Sequence, residues 1–364
     1  METQIAEKQS FQISEEDSKR ITSLRFLLIV FVVFIHANLT ADDALNYYHY
    51  NFIQPKWIEV FKSFVCSTLG GAAVPLFFLF ASYLQFSKND SYPILLKKRS
   101  KSLLLPYTLW TVITVILYFI AQAIPQTAPY FQNPINIVRN WKGVDWIKIF
   151  TYHDTVYPLV YQFWFLRDLM ILIILSPILK IFCERFAGGM LVLVSVLALK
   201  GIPVFFVSTG ALFFYIAGYY FATYKVSFFR IADKIRIYEY IVLLALTILF
   251  DLLFEGKYSL GFIKTIISCL FFLKLSAIFI NHQSLYGKLE YLAGYSFFLY
   301  AVHTPFLGTT INKISQRIIP LHGILCLVQF LLAAFLTIVF GTIFSILLNK
   351  ICSPIFRVLN GGRK

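Results

Sequence analysis

The chain has 364 residues, of which 59% are hydrophobic, 18% aromatic and only 14% charged. Soluble domains carry about 25% charged residues, so this composition excludes an ordinary soluble domain and points to a protein with many membrane spans. The net charge of +14 does not call for nucleic acid, and no nucleic-acid partner is expected. Lys and Arg also gather in the cytoplasmic loops of membrane proteins.

Residues 1–20 read as a cytosolic tail. They include Glu2, Glu7, Glu15, Glu16 and Asp17, unlike the short basic start of a signal peptide, and the apolar run that follows has no small-residue cleavage site. Apolar runs of bilayer-crossing length, about 20 residues, fall at roughly 22–39, 64–84, 103–124, 163–183, 189–207, 210–224, 238–255, 260–280, 291–310 and 322–349. The fifth and sixth are the weakest, because Lys200, Gly201 and Pro203 interrupt the region and the sixth run is short. The expected fold is an all-α polytopic bundle of about ten transmembrane helices. It occupies residues 21–352, with 353–364 as a second cytosolic tail. With the N-terminus inside, twenty of the 32 basic residues lie on the inner side, so the positive-inside rule favours both termini in the cytosol. The five cysteines, Cys66, Cys183, Cys269, Cys326 and Cys352, have neither metal-ligand nor CxxC spacing and read as small apolar residues.

In the first span Arg25 and His36 stand eleven residues apart. Eleven steps of about 100° make three turns plus roughly 20°, so both lie on one helix face, about 16 Å apart along the axis. Two ionisable groups on one stripe of a lipid-embedded helix are costly and mark a polar path. The plainer alternative is an arginine that snorkels to the headgroups and a histidine that bonds a neighbouring helix.

Further along, Lys97-Lys98-Arg99-Ser100-Lys101 precedes the third span and Pro106. It reads either as a positive-inside anchor or as a site where Arg and Lys meet phosphates. The longest connection, about 124–162, carries four prolines, two tryptophans and several tyrosines. A connection of that length is functional, caps something, or supplies an interfacial aromatic belt. Arg167 and Asp168 open the fourth span as a structural pair or as part of a site, and His303 lies in the outer half of the ninth. His36, Arg167, Asp168 and His303 then share the outer level of the bundle, and Arg25 and Arg99 the inner one. Two polar layers joined by one apolar helix suit a long ligand lying across the membrane.

These residues also carry a family resemblance. The Arg-x10-His of the first span resembles the signature of membrane acyltransferase family 3, the bacterial O-acyltransferases that modify cell-surface polysaccharides. "VPLFFLFASYL" (Val74–Leu84), "KKRSKSLLLPY" (Lys97–Tyr107), "WFLRDL" (Trp164–Leu169) and "FFLYAVHTP" (Phe297–Pro305) resemble its further motifs, in the same order, from about Arg25 to Pro305. Two departures stand out. The family pattern often has a second arginine four residues after the position of Arg99, where this chain has Leu103; Lys98 and Lys101 are the nearest substitutes, and lysine does not reproduce bidentate arginine. The usual Ser-Gly is Ala81-Ser82, which weakens the case for a close backbone approach there.

The resemblance implies a bacterial cytoplasmic-membrane enzyme whose donor is a cytosolic acyl-CoA, generally acetyl-CoA. It also implies an acceptor that is a glycan or a lipid-linked sugar. Arg25, Lys98 and Arg99 are then the candidates for the donor's phosphates, and the pantetheine arm would run along the first helix toward His36. His36 is the candidate general base, since an imidazole with its ordinary pKa near 6.5 suits taking a proton from a sugar hydroxyl. Arg167 or His303 would face the charge developing on the thioester oxygen. Direct transfer is preferred to an acyl-His36 intermediate, and neither route requires a metal. Some family members carry an extracytoplasmic hydrolase-like domain; none is expected to be fused here, so either the acceptor reaches the membrane site or a separate partner completes the transfer. The competing class is a polysaccharide or lipid-linked sugar transporter or flippase, which an obvious inverted repeat would favour and none is seen.

Overall fold

In the computed structural model, residues 13–39, 53–88, 90–131, 133–154, 156–202, 204, 207–254 and 260–363 are described. Residues 1–12 of the expected N-terminal tail, and Pro203, lie outside them. The rest of that tail is not separate from the first span: helix α1 runs from Glu15 to Ala37 without a break. Ser14 caps it by accepting the Asp17 N–H at 3.0 Å, and Glu15, Glu16 and Asp17 place negative charge on the positive end of the helix dipole. Its 23 residues span about 35 Å. Arg20, Ile21, Ser23, Leu24, Phe26, Leu28, Ile29, Val32 and Val33 are all buried, around most of its circumference, as befits the helix at the centre of a bundle.

The remaining helices of seven residues or more follow in order: α2 Lys56–Phe86 and α3 Tyr92–Ala123; α4 Trp164–Ile174, α5 Ser176–Phe186, α6 Gly189–Leu199 and α7 Thr209–Thr223. Then come α8 Ile237–Phe254, α9 Gly261–Asn281, α10 Gln283–Ala293, α11 Ser296–Val302, α12 Gly308–Ile318, α13 Leu325–Ile351 and α14 Ser353–Leu359. The described residues form no strand, only three isolated bridges. Each of the ten apolar runs contains helix, yet among the described residues only six helices (α1, α2, α3, α8, α9 and α13) are long and apolar enough to cross a membrane, or seven if α5 and α6, bent by 109°, count as one.

The shortfall against about ten has a local cause. Pro177 removes the N–H that the Ile173 carbonyl would accept, α4 ends, and the Ser176 hydroxyl takes over that carbonyl at 2.7 Å. Gly201, at φ +64°, turns the chain after α6, and α7 is only 15 residues long. The ninth run is broken at His303–Leu307 between α11 and α12.

Outward-facing side chains are apolar. Ile241, Val242, Leu246, Leu249 and Leu253 on α8, and Phe335, Phe340, Phe344 and Leu347 on α13, are all exposed. Apolar surface of this extent suits lipid. Inside, α1 is pinned by Arg20, which is fully buried. Its guanidinium holds both oxygens of Asp233 at 2.6 and 3.0 Å, donates to the Ser276 hydroxyl at 2.9 Å and to the Leu273 carbonyl at 2.6 Å. Charge pairing with hydrogen bonds on every side is what makes such burial tolerable.

Residues 353–363 are packed into the bundle and are not a loose tail: Asn360 is fully buried, and the Trp110 indole donates to the Leu359 carbonyl at 3.1 Å.

The connection between α3 and α4 is folded down as a cap. Tyr107 donates to the Phe150 carbonyl at 2.5 Å, and Gln122 grips Asn136 O and Val138 N–H at 2.7 and 3.1 Å. Within it His153 bonds Asn136 Oδ1 at 3.1 Å and packs edge-on against Trp141. Burial, outweighing the opposing pull of Asp154 and Asp145, holds the His153 imidazole below its ordinary 6.5. The unfolded connection therefore takes a proton that the folded one refuses. Its stability is complete above about pH 6.5 and declines as pH falls through that value. Protease cleavage between residues 141 and 157 is expected to quicken from pH 7.5 to 5.5 more than cleavage of a reference peptide. His153→Gln should abolish the extra acceleration; a pH-independent ratio in the native chain would contradict the assignment.

Candidate active site

His36, in the last turn of α1, and His303, at the break after α11, face each other with ring centroids 5.2 Å apart. The break is written in the sequence His303-Thr304-Pro305. A residue before proline is driven out of the helical region, and Thr304 sits at φ −146°, ψ 158°. Pro305 also deprives the Ala301 carbonyl of its helical donor. Gln162, fully buried, fills the gap, donating to Ala301 O at 3.4 Å and to Thr304 O at 2.6 Å. Tyr300 returns a hydrogen bond to the Gln162 carbonyl at 2.5 Å. The loop before α4 and the broken helix are thereby laced together beside the two histidines.

The lacing defines which atoms are available. His303 Nδ1 lies 2.7 Å from the Tyr300 carbonyl, and a carbonyl only accepts, so the proton of a neutral His303 is on Nδ1. Its Nε2 is then a lone-pair acceptor, and this buried atom has no hydrogen-bond partner among the described residues. His36 Nδ1 is 3.1 Å from the Tyr161 hydroxyl, to which the Thr304 hydroxyl donates at 2.9 Å. Both imidazoles line a small cavity whose other walls are Val33, Ala37, Thr304, Gly308, Thr309 and Thr337. Two imidazoles on one small cavity form an arrangement suited to proton transfer with a bound hydroxyl.

Arg167 is not brought to this cavity. Its Nε and Nη2 donate to Asp168 Oδ1 at 3.0 and 2.8 Å, and its Nη1 donates to the Thr151 and Val156 carbonyls at 2.8 and 2.7 Å. Its guanidinium also lies 4.6 Å from the centre of the Tyr152 ring, while Asp168 Oδ2 accepts the Ser208 N–H at 3.2 Å. The pair clamps the capping connection and the start of α7 to α4.

Toward the other end, Arg25 stands on α1 eleven residues before His36. The uninterrupted helix sets the two about 16 Å apart along its axis. Ile29, Val32 and Val33 lie between them on the same stripe and are buried. Arg25 and Arg99 are both half-buried, and neither forms an ion pair among the described residues. Lys98 differs: it is exposed and holds both oxygens of Asp90 at 2.7 and 2.8 Å.

Tyr161, Gln162 and Thr304 are the site residues that sequence reasoning passed over. Tyr161 stands in an aromatic-rich connection where a belt explains a tyrosine equally well. Its adjacency to the "WFL" stretch was the available signal, and so was the Thr-Pro following His303.

Residues 18–350 match the family described as Acyltransferase domain, acyltransferase 3. The chain is also 27% identical over 215 residues to the succinoglycan biosynthesis protein ExoH of Rhizobium meliloti (strain 1021), an alignment taking in 58% of this chain and 55% of that protein. The chain thus spans about half the length of the curated relative it matches. No solved structure matches it. The Arg-x10-His helix, the broken His-Thr-Pro segment and a match across nearly the whole chain agree: this protein belongs to the acyltransferase 3 family.

Proposed function

We propose that the protein is an integral-membrane O-acyltransferase of the bacterial cytoplasmic membrane, moving an acyl group, acetyl in the simplest case, from cytosolic acyl-CoA to a hydroxyl of a cell-surface glycan or lipid-linked sugar. The observation that carries this reading is the pair of imidazoles on one cavity, at the far end of a helix that bears an arginine without a counter-ion among the described residues. Family membership supports acyl transfer, and the name of the relative, a succinoglycan biosynthesis protein, supports a glycan acceptor. In this reading both ends of the chain face the cytosol. The broken and short helices α4 to α7 and α11 to α12 complete about ten passes, within a single transmembrane domain over 21–352.

The chemistry follows from the available atoms. Arg25 and Arg99 hold the donor's phosphates, with Lys98 at the rim. The acyl end reaches the cavity about 16 Å away. His36, with Nδ1–H donated to Tyr161, presents an Nε2 lone pair that takes the proton of the acceptor hydroxyl as its oxygen attacks the thioester carbon. Collapse of the tetrahedral intermediate breaks the C–S bond, and the departing CoA sulfur takes the proton from His36. A neutral His303 accepts at Nε2 and so does not serve as the oxyanion donor; because the reacting hydroxyl gives its one proton to His36, His303 orients the acceptor through a neighbouring hydroxyl that donates to Nε2. Arg167, with its hydrogen bonds committed, holds the cap. Thr309, whose hydroxyl-bearing side chain lines the cavity, is the candidate oxyanion donor.

The test supplies radiolabelled acetyl-CoA to the cytosolic face of membrane vesicles with the host's envelope glycan. Label entering glycan as a base-labile ester supports the proposal. Glycan crossing the vesicle membrane without label would favour a transporter instead. Tyr161→Phe is expected to reduce kcat roughly 10-fold, below the 10²–10⁴ range of a proton-transfer group because it acts through His36. KM for acetyl-CoA should stay unchanged while the pH–rate profile shifts. A change in KM alone would contradict the positioning role.

A further inference from the structure

The arginine end of α1 has a third guanidinium, and it comes from the segment after α13. Asn360 sets the segment in place: its Oδ1 accepts the Phe298 N–H at 3.1 Å, and its Nδ2 donates to the Gly294 and Arg363 carbonyls, both at 2.8 Å. Gly361 and Gly362, at φ +68° and +73°, make a turn that other residues adopt only under strain. A Cβ on Gly361 would also lie 2.4 Å from the Ser102 carbonyl oxygen. The turn delivers Arg363 onto α3, where its Nη1 donates to Ser102 O at 3.3 Å and to its own Asn360 O at 3.1 Å. Its guanidinium lies 4.3 Å from the centre of the Phe297 ring.

Ser102 is one helical turn beyond Arg99. Burial, then the neighbouring charges of Arg25 and Arg99, pull the Arg363 guanidinium below its ordinary value. None of the three arginines forms a carboxylate pair among the described residues. The Arg363 hydrogen bonds come from Nη1, leaving Nη2 and Nε without an acceptor among them. Like charges brought together in a poorly solvated site repel unless an anion joins them. Leu103, buried at 2% exposure, offers no cation on the same turn of α3.

We propose that Arg363 is a phosphate ligand, completing with Arg25 and Arg99 a three-arginine site for the diphosphate and sugar-phosphate end of the acyl donor. This rests on the acyl-CoA reading above, though the site itself requires only an anion with several phosphate oxygens. Planar guanidiniums from α1, α3 and the 353–363 segment approach from different elements, which suits bidentate binding of phosphate.

The experiment measures binding of CoA, inorganic pyrophosphate and phosphate-free pantetheine to the full-length protein in nanodiscs, for wild type, Arg363→Gln and Arg363→Lys. Glutamine keeps a neutral donor toward Ser102 O, and thermal unfolding of each variant shows whether the fold is retained. Arg363→Gln is expected to weaken CoA and pyrophosphate by roughly 10-fold or more and to leave pantetheine unchanged; Arg363→Lys should fall between. Equal CoA affinity in wild type and Arg363→Gln overturns the inference while leaving the donor reading intact. Equal losses for all three ligands also overturn it, as a purely structural effect. Arg363-dependent pyrophosphate binding without CoA binding supports the anion site and removes acyl-CoA as donor. No binding of either phosphate ligand to the wild type overturns both.

Discussion

His36→Gln is expected to lower acyl transfer by 100-fold or more, within the 10²–10⁴ range of a general base, with KM for the acyl donor little changed. Glutamine fits the last turn of α1 and retains a side-chain amide that can bond the Tyr161 hydroxyl, so the laced segment around Thr304 stays in place. What it lacks is an imidazole lone pair able to carry a full proton. His36→Ala should show the same loss in kcat, and the wild-type chain should show the larger rate at every pH. Steady-state kinetics on matched amounts of inserted protein decide it; undiminished transfer by either variant removes His36 from the chemistry.

Gly218→Ala is the second large effect, on folding rather than chemistry. Gly218 lies in α7 against α2, and an added Cβ would sit 2.5 Å from Leu79 O, 2.8 Å from Ser82 Cβ and 3.0 Å from Tyr83 N. Two of the three obstacles are backbone, so no rotamer change relieves them and the helices must move apart. Ala211 and Ala222 lie seven positions before and four after Gly218 and are buried with it, a stripe of small residues of the kind that lets membrane helices approach. A cost of about 1–3 kcal/mol is expected for overpacking such a contact, with larger loss for Gly218→Val. Thermal unfolding in detergent or nanodiscs should show a lower midpoint and reduced folded yield. A midpoint equal to wild type would mean the two helices are not this close.

That contact also answers a question raised by Ala81-Ser82. The weakened case for close approach there looked only at α2; Ser82 is in fact fully buried, because the glycine stands on the opposing helix. Which of two helices supplies the small residue is a tertiary fact. The helical periodicity linking Arg25 to His36 is a local one and was legible, as was the placing of His303 at the same level as His36. Arg167 was grouped with them by depth alone; depth does not say which way a side chain turns, and hydrogen bonds to the Thr151 and Val156 carbonyls turn it to the cap. Tyr161 meets His36 across 125 residues and Thr304 across 143. Arg363 reaches Ser102 across 261. Neither could be read from spacing. The number of long unbroken helices falls below about ten for a different reason. Pro177, Gly201 and Pro305 were visible, but hydropathy averages over such breaks, while the backbone hydrogen bonds they remove decide where a helix ends.

One measurement bears most directly on the central idea that a single helix joins the phosphate end of the donor to its acyl end. It is a cryo-electron microscopy structure of the protein in a nanodisc, with a bound antibody fragment for size and a non-hydrolysable acetyl-CoA analogue. The predicted density runs beside α1, with phosphates in contact with Arg25 and Arg99 and the acetyl group within hydrogen-bond reach of His36. Donor density that leaves the His36–His303 cavity empty, or phosphates bound away from both arginines, would contradict it.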